Sequence, residues 1–335
     1  MILAGDLGGT KCNLALLEPE GALLRLKYQL RLETSAFSHF AQLIDAFRAE
    51  CATQNGLSTL KISAAGFGVA GAVSEGRVLS NNIPWALTAT GLARKLKLES
   101  NRLVLLNDLV ATACALDHLP PEDILVLHSG TPQPRGNRAV IAAGTGLGEA
   151  TIYWDGQRLR ASPSEGGATD FAPRTDREIR LLQHLKLHLP RVSCEDILSG
   201  RGFRRLHEFL DPTVLHSTFD QPAGASASEI TQNAFSGTCA VCAEALDWWV
   251  DAFGAEAGNM ALRTLAYGGV YLAGGIAVRV LPKLQHSNFC RSFADKGPMT
   301  QLLVRIPISV ILNEDAPLWG AAYQAAAALG DSSSG

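Results

Sequence analysis

The chain opens Ile2-Leu3-Ala4-Gly5-Asp6-Leu7-Gly8-Gly9-Thr10-Lys11-Cys12-Asn13-Leu14-Ala15-Leu16-Leu17. An apolar run ends at Asp6, a glycine turn follows, and a second apolar run spans Asn13–Leu17. Short apolar runs bounded by turn residues read as strands, here Ile2–Asp6 and Asn13–Leu17. A third, Leu23–Leu30, follows the turn Glu18-Pro19-Glu20-Gly21. The same order returns later: strand Ala139–Ala143, turn Gly144-Thr145-Gly146-Leu147-Gly148, strand Glu149–Trp154, turn Asp155-Gly156, strand Arg158–Ala161. A repeated supersecondary unit implies two related α/β lobes, each offering one glycine turn to a shared cleft. The expected lobes are residues 1–118 with 313–335, the smaller, and residues 119–312, the larger.

Between the copies, Phe40, Leu43, Ile44 and Phe47 recur at helical spacing and predict a helix over 38–53. Ile62–Ala70 and Leu103–Leu106 read as buried strands. The second ends at Asn107-Asp108, where a helix starts and runs to about His118, before Pro120-Pro121. After the second copy the pattern predicts a long helix over 236–266, a strand Val270–Leu272 leading to Gly274-Gly275, a strand Ile308–Leu312 and a closing alanine-rich helix. Residues 211–227, rich in Pro, Gly and Ser, read as a mobile surface loop, and the tail 331–335 as disordered.

With 335 residues, 47% of them apolar and 18% charged, the chain can bury two substantial cores. A net charge of -3 gives no basic field for nucleic acid. The longest apolar stretches, Thr264–Val278 and Pro317–Gly330, are too short to span a bilayer, and Asp6 comes too early for a signal peptide. Seven scattered cysteines fit free thiols in a reducing cytosol. The single C-x-x-C, Cys239 and Cys242, falls inside the predicted long helix with no second pair and no nearby histidine. It reads as two thiols packed on one helix face, not as a metal or redox site.

Asp6-Leu7-Gly8-Gly9-Thr10-Lys11 sets a carboxylate at a strand end and then a hairpin tip without side chains. Glycines there permit positive φ, which turns N–H groups toward an anion, while Thr10 adds a hydroxyl and Lys11 a charge. Asp6 suits such a place if Mg2+ stands between it and a phosphate, directly or through water. Gly144–Gly148 repeats the logic. Its glycine spacing and the strand after it differ from the dinucleotide fingerprint, and no G-x-x-x-x-G-K-[ST] occurs, which excludes a P-loop. Taken singly, each turn is equally a plain hairpin; together they favour phosphate. Gly274-Gly275-Ile276 lets a flat group such as adenine approach the backbone, or is an ordinary strand-to-helix turn.

Asp108, at a helix start, reads either as an N-cap or as a base for an attacking hydroxyl. Asn107 beside it can donate to and accept from a sugar hydroxyl. Glu165 and Glu195 are further carboxylates of the kind that hold polyols, or ordinary surface charges.

These segments occur in order from residue 2 to about 325, together with Asp170-Phe171-Ala172-Pro173, Leu198-Ser199-Gly200 and Leu272-Ala273-Gly274-Gly275-Ile276. As a set they resemble the bacterial glucokinase family, of the actin, heat-shock ATPase and hexokinase superfamily. The resemblance implies a two-lobed ribonuclease H-like (actin-like ATPase) α/β fold with the active site in the interdomain cleft. It implies transfer of the γ-phosphate of ATP to the 6-hydroxyl of glucose with Mg2+, the first step of glycolysis. A cytoplasmic homodimer with no nucleic-acid or membrane partner goes with it. In this reading Asp108 is the general base, and Asn107, Glu165 and Glu195 bind the sugar. Gly8, Gly9, Thr10, Lys11, Gly144, Thr145 and Gly146 hold phosphates, Gly274 and Gly275 lie near adenosine, and Asp6 serves Mg2+. Asn82 and Trp85, within Asn81-Asn82-Ile83-Pro84-Trp85, match a further segment near the sugar.

Two positions depart from the family pattern. Ala168 stands where Glu165-Gly166-Gly167 is commonly followed by histidine, and Arg201 stands where proline commonly follows Leu198-Ser199-Gly200. The lost imidazole implies weaker glucose binding, or another acceptor such as mannose, glucosamine or an N-acetylated sugar, or a sugar-binding regulator without turnover. The cysteine-rich zinc segment of the repressor-like sugar kinases does not occur.

Overall fold

Strands Ile2–Leu7 (β1) and Lys11–Glu20 (β2) are buried along most of their length, so they read as unbroken apolar runs. Leu23–Glu33 (β3) completes an antiparallel meander and carries Arg25, Lys27 and Arg31, the charges expected of an edge strand. These coordinates are a computed structural model that describes residues 1–55, 61–79, 83–219, 221, 223–286 and 288–330. The chain divides into two units, Met1–Pro120 with Asp315–Gly335, and Pro121–Glu314.

In the first unit, Phe40–Asn55 (α1) leads to Ala64–Val69 (β4), which pairs parallel to β1. A short hairpin, Ala72–Ser74 (β5) with Arg77–Leu79 (β6), precedes Ala89–Leu96 (α2), Leu103–Asn107 (β7) and Asp108–Ala115 (α3). The sheet order is β3-β2-β1-β4-β7. One face packs Leu3, Leu14 and Leu16 against Phe40, Ile44 and Phe47 of α1. The other packs Ile2, Ala4 and Ala15 against Leu318, Ala322 and Ala325 of the closing helix Ala316–Gly330. That helix lies close because two side chains are missing: a Cβ at Gly66 would overlap the Ala321 carbonyl, and one at Gly320 the Ala111 carbonyl.

The second unit starts with Ile124–His128 (β8), Arg138–Ala143 (β9), Leu147–Trp154 (β10) and Leu159–Ser164 (β11). Helices Asp176–Leu185 (α4), Gly200–Leu210 (α5), Ala223–Ser236 (α6) and Ala240–Thr264 (α7) follow. Gly269–Ala273 (β12), Gly274–Arg279 (α8), Leu281–His286 (α9), Phe289–Ala294 (α10), Thr300–Leu303 (α11) and Ile308–Ile311 (β13) end it. Its sheet runs β11-β10-β9-β12-β13-β8. The first five strands repeat the first unit's sheet: an antiparallel meander, then two strands added in parallel. Trp249 and Phe253 of α7 anchor the core with Phe203 and Phe289.

The helix predicted over 236–266 is two helices. Gly237, at φ 70°, ends α6, and α7 begins only after Cys239, its N-cap. Part of the predicted 211–227 loop is the start of α6. The tail 331–335 lies outside the described residues. No described helix is long and apolar enough to cross a membrane.

Candidate active site

In the first unit, β1, β4 and β7 run parallel and end together. Asp6 stands opposite Gly68, and Val69 opposite Asn107. Carboxyl ends of parallel strands are where α/β sheets hold ligands. Asn107, not Asp108, caps α3: its Oδ1 accepts from the N–H groups of Leu109 (2.9 Å) and Val110 (3.2 Å). Its Nδ2 donates to the Gly71 carbonyl (3.1 Å), so most of this amide positions backbone and little is left for a sugar. With the cap supplied next door, Asp108 is the first helical residue, its Oδ1 accepting from the Leu109 N–H at 2.9 Å. Gly68 lets the helix start this close, because its Cβ would stand 3.1 Å from that of Ala111.

Asp6, Asn13 and Arg31 form one row across β1, β2 and β3. Asp315, just before the closing helix, joins them from the far end of the chain. Asn13 Nδ2 (2.8 Å) and Arg31 Nη2 (2.7 Å) donate to its Oδ1, and Gln29 Nε2 (2.8 Å) donates to Oδ2. Burial first, then the charges of Asp108 and Asp315, push Asp6 up to about 7, against the opposing pull of Arg31. The charges of Asp108 and Asp315 thus both act on Asp6. Asp315, Asn13, Gln29 and Arg31 are absent from the sequence reading.

The first glycine turn is a tight hairpin in which Gly8 N–H donates to the Lys11 carbonyl (3.0 Å). Neither Gly8 nor Gly9 takes positive φ, contrary to expectation. At Gly8 the requirement is room, since a Cβ would lie 2.8 Å from the Lys11 carbonyl oxygen. Thr34 Oγ1 donates to the Gly8 carbonyl (2.8 Å), and Lys11 pairs at 3.7 Å with Glu33. Gly9 and Thr10 are exposed at the tip. Trp85 is core: buried against Phe40, it donates Nε1–H to the Phe37 carbonyl (2.9 Å). Asn81 and Asn82 lie outside the described residues.

The second unit gathers its sequence-derived residues around the β9–β10 turn. Gly144 N–H donates to the Gly146 carbonyl (2.9 Å), Thr145 is exposed, and space opens where a Gly144 Cβ would be. Gly274, at φ 86°, packs on Ala143 so closely that a Cβ would overlap its carbonyl, which sets the start of α8 beside the turn. Glu195 is braced to the turn. Its Oε2 accepts from the Leu147 N–H (3.1 Å), its backbone N–H donates to the Gly167 carbonyl (2.9 Å), and Oε1 pairs with Arg201 (2.8 Å). Arg201, the departure from proline, therefore binds a residue expected to hold sugar.

Glu165-Gly166-Gly167 has a physical reason. A Cβ at Gly166 would overlap Glu149 Oε2, and one at Gly167 the Leu147 carbonyl. Beneath them Glu149 is 3% exposed, Oε1 has no partner among the described residues, and burial, then Glu256, push its carboxyl up to about 7. Glu165 is exposed on top, its side chain making no hydrogen bond to a described residue. Ala168 is exposed too, and Arg191 Nη2 donates to its carbonyl (3.0 Å) while Nε pairs with Asp170.

A sequence model of the glucokinase family matches residues 3–328. The chain belongs to that family. Glucokinase of Nostoc sp. is 36% identical, over 97% of this chain and 99% of the relative, and that of Colwellia psychrerythraea 33%, over 96% and 94%. A glucokinase crystal structure from an Antarctic psychrotroph superposes with a TM-score of 0.83 at 29% identity, covering 97% of this chain and 98% of that one. A Streptomyces griseus glucokinase in complex with glucose and AMPPNP shares the fold, with a TM-score of 0.65 at 21% identity over 97% and 99%. The fold is thus that of the actin-like sugar kinases. Family membership also accounts for the order in which the turns and carboxylates recur along the chain.

Proposed function

We propose that the chain transfers the γ-phosphoryl group of ATP to the 6-hydroxyl of glucose, with Asp108 as general base. The relatives matched along the whole chain are glucokinases, which favours glucose over the other acceptors and over a regulator without turnover. The observation that carries the chemistry is the carboxylate group at the strand ends of the first unit. Asp108 takes the proton from the sugar hydroxyl as its oxygen attacks phosphorus, and the Leu109 N–H fixes the orientation of the accepting carboxylate. Glu165 and Glu195 accept from other sugar hydroxyls, and Asn107 adds its remaining N–H. Backbone N–H groups and hydroxyls at Gly8–Thr10 and Gly144–Gly146, with Lys11, hold phosphates; Gly274 and Gly275 admit the adenosine.

Asp6, a hard oxygen donor burdened by the charges of Asp108 and Asp315 that a cation would offset, suits Mg2+ directly or through water. Bound there, Mg2+ would supply charge neutralisation at the phosphate oxygens. A cytoplasmic homodimer acting at the start of glycolysis is the form proposed for the chain, on the strength of the family resemblance.

Asp108→Asn tests the assignment. Loss of the base is expected to lower kcat by about 10²–10⁴-fold in a coupled ADP-release assay, with the melting temperature kept. A variant retaining most of its activity removes Asp108 from the role.

A further inference from the structure

We infer that His207, His216, Cys239 and Cys242 form a structural Zn2+ site in the second unit, separate from the phosphoryl-transfer residues. The four offer ligand atoms that all lie within 4.8 Å of one another. His207 Nε2 stands 3.2 Å from His216 Nε2, and His216 Nε2 stands 3.1 Å from Cys242 Sγ. Metal–ligand bonds of about 2.0–2.3 Å give tetrahedral edges of roughly 3.3–3.8 Å, close to these spacings. Two thiolates and two imidazoles are the donor set of structural zinc, and no carboxylate of a described residue joins the set.

Each ligand is placed by a different device. His207 is wholly buried near the end of α5, with no partner for Nδ1 among the described residues. His216 belongs to the segment between α5 and α6, which Arg204 ties back by donating to the Phe219 carbonyl. The Phe219 ring covers both imidazoles edge-on, at 5.1 and 5.3 Å between centroids. Cys239 is the N-cap of α7, and Cys242 follows within its first turn, its N–H donating to Cys239 Sγ (3.4 Å). Asn233 Nδ2 of α6 lies 3.3 Å from His216 Nδ1; with zinc on Nε2 the proton sits on Nδ1, and the amide would turn its oxygen to accept it.

Protons serve this arrangement poorly. His216 Nε2 faces both another imidazole nitrogen and a sulfur, and a single proton cannot satisfy all three. One Zn2+ accepts a lone pair from each ligand, and the two thiols release their protons on binding. The ion would tie α5, the 211–219 segment and the start of α7 together. These ligands come from two helices and a connecting segment, not from a contiguous cysteine-rich stretch.

The test uses the full chain, purified without chelator. Elemental analysis is expected to find stoichiometric zinc, and a thiol-directed mercurial should release it stoichiometrically to a chromogenic chelator. Release should lower the melting temperature by roughly 5 °C. Cys242→Ser and His207→Gln should each weaken zinc affinity by more than about 100-fold, beyond the loss of an outer-sphere partner. Because the mercurial measurement is made on the wild-type chain, misfolding of a variant does not spoil it. A chain that neither carries zinc nor takes it up, one with a Cys239–Cys242 disulfide in its place, or one whose zinc survives the mercurial overturns the inference.

Discussion

Asp6 has an ordinary value of 3.8 and is pushed up to about 7 by burial and by the charges of Asp108 and Asp315. The folded state therefore holds this proton more tightly than the unfolded chain. Stability from it is complete below about pH 4 and is lost as the pH rises through about 7. Asp6→Asn removes the ionisation, so at about pH 8 it should melt higher than the wild type, at about pH 4 it should gain little, and it should phosphorylate sugar poorly. Thermal melts across this range check it; an unchanged or lower melting temperature at about pH 8 counts against the carboxylate group as described. Asp6 was legible from sequence because it ends a strand before glycines. Asp315 was not, since its partners Asn13, Gln29 and Arg31 come from the chain's other end. Those three lie on β2 and β3 as ordinary polar residues, and only the strand register shows that Asn13 and Arg31 share a row with Asp6.

Glycine is the signal at the scale of elements, although the sequence attached the wrong reason to some of them. Positive φ is expected at Gly8 and Gly9 and found at neither; the observed need at Gly8 is space, as it is at Gly166 and Gly167. Gly166→Ala drives a methyl into Glu149 Oε2, below which the buried Glu149 and Glu256 leave little room to yield. The expected cost is about 1–3 kcal/mol in denaturant unfolding, with a raised KM for sugar because Glu165 shifts. Full stability in that variant would show that the Glu165 turn is looser than its packing implies. The break between α6 and α7 was missed for the opposite reason: Ser236-Gly237-Thr238 is short, and the apolar period resumes directly after it. Reading one continuous helix puts Cys239 inside it, where it is in fact the N-cap of α7, and sets both thiols away from any histidine. The fold instead brings His207 and His216 to them from α5 and the segment beyond it.

For the whole molecule, the repeated glycine-turn meander implies two related α/β lobes, and the first five strands of the second sheet repeat the arrangement of the first. On the proposed assignment, acceptor choice turns on a single contact at position 168. Ala168 has no side-chain donor, and the nearby Arg191 guanidinium is engaged by the Ala168 carbonyl and Asp170. On the proposed assignment, glucose binding then rests more heavily on Glu165 and Glu195. A ligand that binds only the folded chain stabilises it by about 2.7 kcal/mol at a hundred times its Kd. Glucose is therefore expected to raise the melting temperature by roughly 5 °C, with mannose and glucosamine at equal concentration giving less. Ala168→His supplies one hydrogen bond, worth about 0.5–1.5 kcal/mol, and should lower the glucose KM by roughly 3–10-fold while leaving kcat nearly unchanged. Steady-state kinetics over a panel of hexoses reads both effects. If mannose or an amino sugar is turned over more efficiently than glucose, position 168 has redirected the acceptor and has not merely loosened its grip.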